Sequence, residues 1–115
     1  MIESTPKFLQ AILSTTGSGI RSPRPLGDLS YTVPPDRRAQ TIYLRAGNSC
    51  DAMVSLVLMR DGVPMRYFPI GAKSATHVPL AVVEDLQPEQ RLEVYLAAPE
   101  GMDVTIVLDL GLMEI

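Results

Sequence analysis

The chain has 115 residues, a formal net charge of −3 and 46% hydrophobic residues, including six Met, two Phe and four Tyr but no Trp. That length suits one domain around one modest core. A single cysteine, Cys50, excludes an intrachain disulfide and a thiolate metal cluster, and no stretch approaches the roughly 20 apolar residues that cross a bilayer.

The opening MIESTPKFLQAILSTT lacks a signal-peptide pattern, because Gln10 breaks the apolar run and Glu3 stands where positive charge is expected; a cytoplasmic location is the expectation. Thr5 followed by Pro6 is a helix-start signature, and Phe8, Leu9, Ile12 and Leu13 then share one helical face, so the spacing predicts a short helix over Pro6–Leu13. So short a helix needs a surface to dock on. TTGSGIRSPRPLG (Thr15–Gly27) matches neither the dinucleotide fingerprint nor the P-loop and reads as a basic tether. Residues 1–27 are therefore expected to form a helix and extended arm, and 28–115 the folded body.

Beyond the arm the hydrophobic period becomes two. LSYTV, QTIYLRA, AMVSLVLMR, VPMRYFPI, THVPLAVVE, RLEVYLAA and DVTIVLDLGLM are seven candidate strands, separated by Gly, Pro, Asn and Asp turns. In QTIYLRA, Ile42 and Leu44 are expected on one face and Thr41, Tyr43 and Arg45 on the other. Asp61-Gly62 suits a two-residue type I′ hairpin turn, and Pro64, Pro69 and Pro79 place their strands at edges or bulges. Short strands at this spacing without helices between them predict an all-β, antiparallel, jelly-roll-like sandwich. Met53, Val57 and Met59 alternate with Val54, Leu56 and Leu58, so this strand is apolar on both faces. Either it is central to a two-sided core or a neighbouring subunit covers it.

Little in the sequence suggests catalysis. His77 is the one histidine, Ser55, Ser74 and Cys50 are its conceivable nucleophilic partners, and nothing in the spacing brings any of them to it. One His and one Cys do not make a zinc site. Glu84, Asp85 and Glu89 could approach Ca²⁺ in VVEDLQPEQ, yet the alternating Asp/Asn ladder of a calcium loop is missing, and the expectation is no metal and no cofactor. Nucleic acid is disfavoured by the acidic balance and the scarcity of interleaved aromatics. Through Ser49 there are six basic and three acidic residues, and from Cys50 onward four basic and ten acidic, so the two halves are electrostatically complementary.

From Gln40 to about Ala98, the hairpin at Asp61-Gly62, the small-residue turn Gly71–Thr76 and the return strand Gln90–Val94 resemble small jelly-roll structural proteins of bacteriophage, of the head-decoration, head-fibre or tail type. The resemblance implies a non-enzymatic role in assembly. The leading expectation is therefore a homo-oligomer, a trimer among its forms, or a protein decorating a larger assembly such as a virion alongside other structural proteins. Phe8, Leu9, Ile12 and Leu13 would form the docking face, and Arg21, Arg24, Arg37 and Arg38 would lie on the acidic body of a neighbour. The alternatives are a carbohydrate-binding sandwich using Tyr67, Asp85 and Glu89, or an accessory subunit of a larger complex.

Overall fold

A computed structural model of the chain describes residues 4–80 and 85–115. Its nine strands are β1 (Thr5–Thr16), β2 (Arg24–Thr32), β3 (Ala39–Asn48), β4 (Val54–Arg60), β5 (Val63–Ile70), β6 (Ala75–Pro79), β7 (Asp85–Leu86), β8 (Arg91–Ala97) and β9 (Asp103–Glu114). They form two antiparallel sheets. The major sheet has the order β1-β9-β3-β6, with β7 pairing β3, and the minor sheet the order β2-β8-β4-β5. Each of the seven expected strands corresponds to one of these, β1 and β7 being additional, although Ala81–Glu84 of THVPLAVVE lie outside the described residues.

Alternation places the core between the sheets. Val104, Ile106, Leu108, Leu110 and Leu112 of β9 face Leu56 and Leu58 of β4 and Leu92, Val94 and Leu96 of β8, all of them buried. Polar groups also tie the sheets together: the Tyr31 hydroxyl of β2 donates to Glu114 Oε2 of β9 at 2.5 Å, and Asn48 Nδ2 of β3 donates to Ile70 O of β5 at 3.5 Å. Asp61 and Gly62 both have positive φ, 50° and 80°, as the type I′ turn requires, and Asp61 Oδ1 accepts the Arg91 amide at 2.8 Å. Pro64 and Pro69 lie on edge strand β5, Pro64 beside a register shift, and Pro79 ends edge strand β6.

The expected helix is not there. Residues Pro6–Leu13 belong to β1, which pairs with β9 from Thr5↔Glu114 to Thr16↔Asp103. Phe8, Leu9, Ile12 and Leu13 fit a helical face, but they fit a strand equally well if alternate residues are buried. The open edge of a twelve-residue β9 offers a hydrogen-bond partner for every second residue, which no isolated short helix can match. The expected tether is likewise tied down: the Gly17 amide donates to Met102 O and the Gly19 amide to Ala98 O, both at 2.8 Å. A Cβ on Gly17 would lie 2.2 Å from Pro99 O, so only glycine lets the chain pass here from one sheet to the other. The boundary drawn between residues 27 and 28 falls inside β2.

Two further expectations change. In β3 the register shifts between Thr41 and Tyr43, so that Thr41 is buried beside Leu44 while Ile42 turns outward. On β4, Val57 is fully buried within a single copy, between Tyr67 and Tyr95 opposite it on β5 and β8. No neighbouring subunit is needed to cover it.

Candidate functional site

The outer face of the major sheet carries three aligned rows, fixed by strand register. The middle row is polar: Gln10 of β1, Asp109 of β9, Arg45 of β3 and His77 of β6. Phe8, Gly111, Tyr43 and Pro79 run along one side of it, and Ile12, Val107, Gly47 and Ala75 along the other. Because Gly47 and Ala75 project little, a shallow groove of about 670 Å³ opens there, bordered by Arg45, His77, Val107 and Asp109.

Asp109 organises the cluster. Its Oδ1 accepts from Gln10 Nε2 at 3.1 Å and from the Tyr43 hydroxyl at 3.0 Å, and its Oδ2 pairs with the Arg45 guanidinium. Partial burial works to raise the Asp109 carboxyl, but the bonds from Arg45, Gln10 and Tyr43 outweigh it and hold the group below its ordinary value. Burial, followed by the bond to Asp109, raises the Tyr43 phenol, and the bond to Asp109 raises Arg45 further. The Tyr43 ring covers Gly111, with the Arg45 guanidinium 5.3 Å from the ring centroid and the His77 ring edge-on at 6.2 Å.

The arrangement offers fixed polar contacts on an open face. A carboxylate held ionised by three donors has little affinity for a further proton and is a weak general base, and among the described residues no serine, threonine or cysteine side chain bonds it. It leaves spare donors on Arg45, an amide oxygen on Gln10 and two ring nitrogens on His77, set in fixed planes between apolar strips. Such a surface suits a ligand with closely spaced hydroxyls and apolar C–H faces.

The residues singled out in the sequence are distributed differently. Leu9 and Leu13 pack towards the core, whereas Phe8 and Ile12 project outward at 54% and 73% exposure, so the four do not form one docking face. Arg21 and Arg24 lie at one end of β2, Arg37 and Arg38 beyond the other, and Arg38 sits 3.9 Å from Asp85. The arginines therefore do not form one patch. Tyr67 is on the minor sheet, opposite Val57, while Asp85 pairs with β3 of the major sheet and bonds Gln40 at 2.9 Å. The sugar-binding trio of Tyr67, Asp85 and Glu89 is thus divided between the sheets.

A calcium site fits no better. Asp85 is occupied by Gln40 and Arg38, Glu84 lies outside the described residues, and no group of three acidic, His or Cys side chains among the described residues could hold a metal ion. Cys50 is buried against Met102, and no helix among the described residues is long and apolar enough to cross a membrane. Gln10, Tyr43, Arg45 and Asp109 were not singled out by the sequence. The available signal was that Tyr43 and Arg45, and Asp109 and Gly111, are pairs two residues apart on strand faces turned from the core.

No described sequence family matches the chain, and no curated protein does. Solved structures do match. The CBM36-1 domain of a multidomain xylanase from the hindgut metagenome of Trinervitermes trinervoides is 17% identical, with 96% of this chain and 97% of that one covered at a TM-score of 0.57. A CBM36 carbohydrate-binding module in complex with calcium and xylotriose is 17% identical, with 93% and 97% covered and a TM-score of 0.58. A family 35 carbohydrate-binding module from Clostridium thermocellum is 12% identical, with 94% and 97% covered and a TM-score of 0.54. At such identities the likeness is one of fold: an all-β, jelly-roll-like sandwich over nearly the whole chain. The jelly-roll part of the bacteriophage resemblance stands; the bacteriophage part finds no support in these neighbours.

Proposed function

We propose that this chain is a non-catalytic glycan-binding module and that its ligand lies across the outer face of the major sheet, in the groove beside Asp109. One observation carries the reading: a polar row, Gln10–Asp109–Arg45–His77, its first three members bonded through Asp109, lies between two apolar rows on an exposed sheet face. Buried or fixed polar groups that match a ligand's hydroxyls supply specificity, while flanking apolar side chains supply contact area. The fold likeness to modules described as carbohydrate-binding adds support, and it favours this reading over decoration of a virion. No step in it uses a metal.

The test is an NMR titration with xylotriose and with soluble glucose-, galactose- and mannose-based oligosaccharides. Shifts are expected at the amides of Gln10, Arg45, Gly47, His77 and Val107 for at least one sugar, and Asp109→Ala should abolish them. Shifts confined to the outer face of the minor sheet or to the loops, or binding unchanged in Asp109→Ala, would refute the proposed site.

A further inference from the structure

Among the described residues the two sheets end on four strands besides the two-residue β7, and three of the four are protected against pairing. Strand β5 carries Pro64 and Pro69, β6 is five residues long and ends in Pro79, and β2 contains Pro25 and loses register with β8 between Pro25 and Ser30. Prolines, short strands and irregularities are the usual means of blocking edge-to-edge association. Strand β1 has none of them after Pro6: Lys7–Thr16 is a regular ten-residue run at the edge of the major sheet.

The direction of its free amides follows from the ladder. The Asn48 amide of β3 bonds Ser74 O, towards β6, and the Ser49 amide bonds Thr105 O, towards β9. Amides alternate along a strand, so Arg45 and Gly47 also engage β9, through Asp109 and Val107. In β9 this leaves Ile106, Leu108 and Leu110 to engage β1 at Leu13, Ala11 and Leu9. Phe8, Gln10, Ile12, Ser14 and Thr16 consequently turn their backbone groups to the open edge, and Phe8 and Ile12 also present exposed apolar side chains.

We propose that β1 pairs antiparallel with β1 of a second copy about a two-fold axis at Gln10. In this register Gln10 meets its own counterpart, and Phe8 of each copy meets Ile12 of the other, which covers the two most exposed apolar side chains of the strand. Lys7, the one charge on β1, falls opposite Leu13, so no like charges face each other. The axis is perpendicular to the sheet and joins the two major sheets into one, with both Asp109 grooves on the same side and Phe8 of each copy beside Ile12 of the other. Two sites on one face bind a polymer with avidity. The pairing itself does not depend on the glycan reading.

A single strand about 40 Å long buries little area, at the low end for specific interfaces, so a dissociation constant on the order of micromolar or weaker is expected. Sedimentation equilibrium of the full chain tests this. The mean mass should rise with concentration from 12.5 kDa towards twice that value. Ile12→Pro, which removes an edge-facing donor, and Ile12→Lys, which leaves the backbone intact, should each weaken the dimer at least about tenfold without changing the circular dichroism spectrum. Gln10→Cys should form a disulfide-linked dimer under mild oxidation, because facing residues of a hydrogen-bonded pair lie about 5.5 Å apart between Cα atoms. A chain that stays monomeric up to roughly 1 mM, a dimer unaffected by both Ile12 variants, a trimer, or no cross-link at Gln10 would each overturn the proposal.

Discussion

Substituting Gly111 by alanine should dismantle the candidate site while leaving the fold standing. An added Cβ would lie 2.1 Å from Tyr43 Cε2, 2.7 Å from Cδ2 and 2.8 Å from Cζ, so the ring must swing away. Doing so breaks the hydroxyl bond to Asp109 and separates the ring from His77. At this partly exposed position the hydrogen bond contributes about 0.5–1.5 kcal/mol and the edge-on ring pair about 0.5 kcal/mol or more. Restricting the unfolded chain by Gly→Ala returns about 0.4–1 kcal/mol. The net cost is about 1 kcal/mol, which lowers Tm by about 4 °C in a domain of this size. A double-mutant cycle gives the decisive assay: in a Tyr43→Ala background the clash is gone, and Gly111→Ala should become neutral or stabilising. Oligosaccharide binding should be lost in all three variants. If Gly111→Ala costs the same with and without the Tyr43 ring, or leaves binding intact, the account of Tyr43 as a ring held on a glycine floor is wrong.

Further outcomes are expected. Thr41→Val should stabilise the protein by about 1 kcal/mol in chemical denaturation, since the Thr41 hydroxyl is fully buried without a hydrogen-bond partner among the described residues. Tyr31→Phe should destabilise it by about 1–3 kcal/mol by removing the donor to buried Glu114. Burial and then Glu114 hold the Tyr31 phenol far above its ordinary 10.0, so the unfolded state ionises first; stability should fall as pH rises past 10, less steeply in Tyr31→Phe, with Tyr43 supplying a remaining slope. Asp109 shifts the opposite way: its contribution should hold throughout the neutral range and disappear only as pH falls below 3.8, and Asp109→Asn should flatten that acid limb in a pH series of denaturant melts. Deleting residues 1–27 removes β1 and the start of β2 and exposes the inner edge of β9, so circular dichroism should report an unfolded or aggregated chain rather than a trimmed domain.

What could be read from the sequence was what neighbours in the chain decide. Leu92, Val94 and Leu96 alternate because β8 has one face on the core, and Asp61-Gly62 makes a tight turn through its own backbone angles. The N-terminal segment depends on a strand almost a chain length away, as the pairing Thr5↔Glu114 shows. Nothing in Phe8–Leu13 itself distinguishes a helix needing a groove from a strand needing an edge. Ile42 misleads for a related reason, since the shift that turns it outward exists only in the register of β3 against β9. The candidate site was hidden most completely. Gln10, Asp109, Arg45 and His77 come from four strands and become a row only when all of their registers are set.

The proposed pairing lies at β1 and not at β4. An apolar strand suggests a partner only if its own chain cannot cover it, and Val57 on β4, fully buried between Tyr67 and Tyr95, is covered. Pro64 and Pro69 then guard the neighbouring edge. On β1 the conditions are reversed: Ile12 is 73% exposed on a strand whose open side carries no proline beyond Pro6. Val54 and Leu56–Met59 are therefore buried within one copy, and Met53, just before β4, is exposed. The run FLQAIL supplies both an unpaired edge and, through Gln10, a hydrogen bond to the central carboxylate of the groove. Any partner that orders this edge also orders Gln10, so ligand binding at Asp109 and pairing at β1 should strengthen each other, and oligosaccharide should shift the dimer to lower protein concentration.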